Sequence, residues 1–237
     1  MSETSGNAVV ENTRPESYSK KKLDFSPDIF ARCVLFMVRW RSRVPGWRIQ
    51  TMGRLTTSEI EGIRLIEGAL PKVSDLRMRK ILEKHLEDER RHASVFGERY
   101  KCLQEEAGLE VQPPPPAISQ TKRFTILELV AYLEVQESRA IALLETYAEL
   151  FEGDDKTVAH ITRNIKDEKF HATWTHLQLE RWIKEGLERE VKAARAEANR
   201  TDRRAFWMQF FSFIRVMPSL IVKGYMPQLF RKTPAPM

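Results

Sequence analysis

Asp88-Glu89-Arg90-Arg91-His92-Ala93 recurs 79 residues later as Asp167-Glu168-Lys169-Phe170-His171-Ala172. Both copies read Asp-Glu-basic-x-His-Ala. On a helix, Glu and His three residues apart lie one turn apart on the same face, so both side chains reach one metal ion. The first copy interrupts the stripe Leu82, Leu86, Glu89, Ala93, Phe96, Tyr100, Leu103. The second interrupts Ile161, Ile165, Glu168, Ala172, Leu179, Trp182. Each glutamate thus takes a place that the 3.6-residue repeat gives to the core. A carboxylate among Leu and Ile is costly unless it is paired or bound to metal. Something cationic is expected between these helices.

Working outward, the helical signal runs from Thr56 to about Trp182 and divides into two hairpins. The repeat predicts helix A over 56–73, helix B over 75–105, helix C over 125–152, and helix D from 156 well past Trp182. The links at Lys72–Asp75 and Glu152–Asp155 are short, which makes each pair antiparallel. Between B and C lies Pro113-Pro114-Pro115-Pro116, which cannot be helical and predicts a stiff, extended crossover. The expected fold is all-α: a four-helix bundle of the ferritin type with one long crossover, flanked by N- and C-terminal helical extensions. The chain divides into a polar tail (1–27), a basic aromatic segment (28–54), the bundle (55–183) and a helical extension with an apolar, basic end (184–237).

Helices A and C must supply further ligands. Glu59 lies 15 residues before Ser74 and Glu89 lies 15 after it, which sets them level in the bundle. Glu59 also heads the stripe Ile63, Ile66, Leu70, whereas Glu61 follows the mixed face Leu65, Gly68, Lys72. Glu137 shares its stripe with Val130, Leu133, Ile141, Leu144 and Phe151, and Glu134 one turn earlier is a candidate movable ligand. The proposed metal ligands are Glu59, Glu89, His92, Glu137, Glu168 and His171. Four carboxylates balance two divalent ions, with both imidazoles neutral. A Glu from each of two helices plus Glu-x-x-His from each of the other two is a dimetal carboxylate pattern. Mixed carboxylate and imidazole donors suit two iron ions, or manganese, rather than a thiolate zinc site.

These residues resemble the ferritin-like superfamily, rubrerythrins and small ferritin-like domain proteins included, over residues 55–183. The resemblance implies a non-haem di-iron oxidoreductase acting on O2 or peroxide. It also implies that Asp88 supports His171 and Asp167 supports His92, since such partners orient a ligand ring and raise its basicity. Glu134-x-x-Glu137 is similar to the rubrerythrin arrangement. Two departures stand out: Ile66 occupies a place where relatives carry Tyr, and Cys33 and Cys102 make no rubredoxin module. An external electron donor is therefore expected.

Other readings remain open. Thr56-x-x-Glu59 is also a capping-box pattern, and Thr125-x-x-Glu128 is a better one. His85 and His160 are within reach of the site but read as core histidines, while His176 has no special claim. Tyr132 and Tyr147 read as packing residues. The function alternatives are ferroxidase or peroxide-scavenging activity without an organic substrate, and a metal-free interaction scaffold.

Of 237 residues, 42% are hydrophobic and 30% charged, enough for a core and against wholesale disorder. No 18-residue apolar run and no signal-peptide core occur, so neither a spanning helix nor a secretory leader is expected. The two cysteines point to a reducing, cytoplasmic setting. The net charge of +6 is uneven: residues 1–54 hold 10 basic against 5 acidic groups, and 184–237 hold 11 against 5, leaving the middle acidic. No nucleic-acid motif accompanies these basic flanks, so no nucleic-acid partner is expected. The stretch from Ala205 to Phe230 is apolar but broken by Pro218 and Pro227. It is expected either to dock on the bundle or a second copy of the chain, or to meet an anionic membrane surface peripherally with Arg203, Arg204, Arg231 and Lys232. An apolar substrate would suit the latter.

Overall fold

The computed structural model describes residues 29–116 and 124–222. Among the described residues there are six α-helices and no strand. They are α1 (Ile29–Arg41), α2 (Trp47–Ala69), α3 (Leu76–Glu106), α4 (Ile126–Leu150), α5 (Asp155–Lys184) and α6 (Glu188–Val222). The polar tail falls outside the described residues, as do 223–237; in 212–222 only the helical backbone is described.

Helix starts follow local chemistry. Asp75 caps α3 by accepting from the amides of Arg77 and Met78 at 2.8 and 3.0 Å. Thr125 and Glu128 form a full capping box at the start of α4, each side chain bonding the other's amide. Asp154 caps α5 through the Thr157 amide and also takes a 2.6 Å bond from Arg99 of α3. The α5 helix stops at Lys184 because Gly186 turns the chain with φ of 97° while the Leu187 amide bonds the Trp182 carbonyl. Helix D therefore does not run far past Trp182; α6 is a separate helix that packs back along α4.

The start of helix A is a correction. It was expected at residue 56, yet α2 begins at Trp47, so the expected boundary between residues 54 and 55 lies inside a helix. Gly53 reads as a break because glycine weakens helices. Here it is a point of close approach: a Cβ on it would lie 2.9 Å from Cε2 of Tyr100 and 3.1 Å from Cδ of Pro115. The proline run is strapped to the same place. Thr57 donates to the Pro115 carbonyl at 2.6 Å, and Gln104 holds both the amide and the carbonyl of Gln112.

Helices α2 and α3 pack as one pair and α4 and α5 as another, with apolar side chains in two clusters. One gathers Ile66, Leu82, Leu86, Leu129, Leu133 and Leu179; the other gathers Met52, Phe96, Leu103, Leu144, Phe151 and Ile161. On every one of these four helices a buried glutamate lies between the two clusters in sequence: Glu59, Glu89, Glu137 and Glu168. The interior is thus an apolar core with a polar level across its middle.

Candidate metal centre

Glu59 comes from α2, Glu89 and His92 from α3, Glu137 from α4, and Glu168 and His171 from α5. All six are buried, the glutamates at 2–8% exposure and both histidines at 0%. Together with His85 of α3, their donor atoms form two quartets, each with all atoms within 4.8 Å of one another. One quartet is Glu59, Glu89, His92 and Glu168; the other is His85, Glu89, Glu137 and His171. Glu89 belongs to both. Glu168 also reaches both sides, with Oε1 3.3 Å from His92 Nδ1 and Oε2 3.1 Å from His171 Nδ1.

The ring orientations follow one rule. His92 turns Nδ1 toward Glu59 and Glu168 and Nε2 toward Asp167, at 3.2 Å. His171 turns Nδ1 toward Glu89 and Glu168 and Nε2 toward Asp88, at 3.5 Å. Asp167 thus bonds the histidine of the other copy, whereas Asp88 only faces His171, whose Nε2 is buried without a hydrogen-bond partner. Arg91 ties the two aspartates together, donating to Asp88 at 2.6 Å and Asp167 at 2.7 Å, and Lys84 adds a bond to Asp88. At the register of Arg91 the second copy carries Phe170, which is half exposed.

The electrostatics reflect crowding of like charge. Burial, then the charges of Glu89 and Glu168, push the Glu59 carboxyl well above the usual range. Burial, then Glu168 and Glu89, do the same to Glu137. Burial also opposes ionisation of Glu168, but the hydrogen bond with His171 and the adjacent His92 and Glu137 outweigh it and hold that carboxyl well below its usual value. Burial lowers His92, yet Glu168, Glu89 and Asp167 together raise it. For Asp88, Lys84 and Arg91 overcome desolvation and bring its pKa down to about 2. Among the described residues, the cationic partners of the four glutamates are histidines, while Lys84 and Arg91 engage the outer aspartates.

The donor set fits divalent cations. The site-facing Nδ1 of His92 is fully buried with no hydrogen-bond partner. Four carboxylates at this depth are costly unless protons, the histidines or bound cations neutralise them, and these groups could hold a metal ion. Gly62 belongs to the same design, since a Cβ there would lie 2.9 Å from Oε2 of Glu89.

Some expectations need correction. Thr56 does not cap: it is buried inside α2 and its hydroxyl bonds the Met52 carbonyl. Glu134 is not at the site. Arg195 of α6 grips it with two bonds of 2.7 and 2.8 Å, and His176 adds a third contact at 2.8 Å. His85, read as a core histidine, instead sits in a quartet with Nε2 3.0 Å from Glu89 and 3.2 Å from Glu137. His160 is half-buried and joins neither quartet. The signal for His85 was its place four residues before Glu89, one turn along the same face. The signal for Arg91 was weaker, since nothing in its copy alone says which carboxylates it meets.

Among the described residues, no helix is long and apolar enough to cross a membrane. Compared with known proteins, the chain matches no family model, no curated protein and no solved structure.

Proposed function

We propose that this chain is a ferritin-like four-helix bundle that holds two divalent cations, iron or manganese, and acts as a non-haem oxidoreductase toward O2 or peroxide. The observation that carries the reading is a buried set of four glutamates and their histidines with no Lys or Arg described among its partners. With two ferrous ions bound, the chemistry supplied is electron transfer to O2 or peroxide. Glu89 and Glu168 span the two halves, Glu59 and Glu137 close the ends, and His92 and His171 present Nδ1 lone pairs. Asp167 accepts the Nε2 proton of His92, which fixes that tautomer and makes the ring a better donor, while Asp88 faces Nε2 of His171 from 3.5 Å. The two apolar clusters keep bulk water away from this level. Electrons come from an external donor, because Cys33 and Cys102 cannot build a four-cysteine centre.

The test is metal analysis after anaerobic loading with Fe(II), followed by optical spectra on O2 addition. Two ions per chain are expected in the parent, and Glu168→Ala should lose at least one. A Glu168→Ala protein that binds as much iron as the parent sinks the assignment.

A further inference from the structure

The two quartets differ in chemistry. His85, His171, Glu89 and Glu137 offer two imidazole nitrogens and two carboxylates. Glu59, Glu89, His92 and Glu168 offer one nitrogen and three carboxylates. His85 makes the difference, and three observations show that it is placed for the task. Its ring is fully buried and stacks on His171 at 3.6 Å with 19° between planes. The edge of Trp174 closes a second side at 5.8 Å. Nε2 is thereby aimed between Glu89 and Glu137, while Nδ1 has no partner. Unlike His92, which bonds Asp167, this ring is oriented by packing and not by an outer aspartate.

The repeat confirms that the asymmetry belongs to the sequence. Shifted by 79 residues, His85 falls on Asn164, four before Glu168. Asn164 is also buried, and its Nδ2 lacks a partner. The first copy therefore puts a lone-pair nitrogen at this register, and the second puts an amide there.

We propose that His85 is a seventh ligand and that it makes the two cation sites unequal, with the His85–His171 site filling first. This rests on the two-cation reading above. Imidazole favours the later first-row ions, whereas carboxylates suit Mn(II) and harder ions. The nitrogen-rich site should then take Fe(II) or Co(II) ahead of its neighbour, while Mn(II) should discriminate much less between the two. The site also gains a means of binding two different metals in fixed places.

The experiment is an anaerobic Co(II) titration of the full chain, followed by optical absorption and by proton NMR of exchangeable ring N–H signals. Two separate binding steps are expected in the parent. In His85→Gln, which keeps a hydrogen-bond donor for Glu89 and Glu137, the tight step should weaken about 10- to 100-fold. The two steps then merge. In the parent, the first equivalent should shift two ring N–H resonances, from His85 and His171, and the second should shift one more. That measurement stands even if His85→Gln fails to fold. Unchanged titration of a folded His85→Gln, or a single shifted resonance at the first equivalent, overturns the role of His85 alone. A parent that binds no Co(II) overturns both this inference and the dimetal reading on which it stands.

Discussion

Gly62 lies one turn after Glu59, and the missing side chain leaves room for the Glu89 carboxylate. Alanine is the better helix former by about 1 kcal/mol. Gly62→Ala should therefore leave the metal-free helix intact while pushing Glu89 out of its shared position. We expect metal affinity to fall about tenfold or more with little loss of helical signal, read by metal titration and circular dichroism. An unchanged affinity would mean that Glu89 does not need this space. The glutamates themselves were legible because each breaks an apolar stripe, and burial of a charge demands a reason. His85 was not, because the period shows which face a residue shares but not which rings stack on it from another helix. Gly62 carried no readable signal at all, since its role exists only once Glu89 approaches from α3.

At the scale of helices, α6 changes the meaning of α4. Arg195 holds Glu134 and Glu180, and Arg139 and Gln136 of α4 pair with Asp202 of α6. Val191, Ala194 and Ala198 bury their small side chains along the same contact. Arg195→Ala should leave the half-buried Glu134 with only His176, costing about 1–3 kcal/mol in chemical denaturation. Iron stoichiometry should stay at the parental value; loss of a metal ion in this variant would bring Glu134 back as a ligand. The sequence alone placed Glu134 beside Glu137 because they share a face of α4, and the docking of α6 on that face could not be read from α4. The early start of α2 was hidden for a related reason: Gly53 reads as a break until Tyr100 and Pro115 close on it. Capping signals at Asp75, Thr125 and Asp154 act within one turn, so the starts of α3, α4 and α5 were legible to within a residue or two.

For the whole molecule, charge balance at the centre sets a pH dependence. Burial and like charge raise the carboxyls of Glu59 and Glu137 above their ordinary value of 4.5, and neighbouring carboxylates raise His92 above 6.5. Each therefore adds stability below its unfolded pKa and loses it as pH rises through the higher folded value. Metal-free protein should melt at lower temperature as pH rises from about 5 to about 8. Asp88 acts oppositely: its lowered value of about 2 contributes above the unfolded 3.8 and is lost as pH falls through 2. Bound cations replace the protons, so metal addition should release protons and raise the melting temperature most at the alkaline end. At about 100 times the dissociation constant, each ion adds roughly 2.7 kcal/mol. Melting curves with and without a chelator check this, and a chelator effect that is flat across pH would contradict it.

The crossed support of the histidines carries one more consequence. His92 leans on Asp167, 75 residues away, and Arg91, itself 76 residues from Asp167, joins it to Asp88. Neither half of the chain can finish its own ring on its own, however well its helices form. Competence to take up metal thus arrives late in folding, after both halves have met across a long loop. On the proposed dimetal reading, uptake of an ion from solution would then be a clock for the last tertiary step.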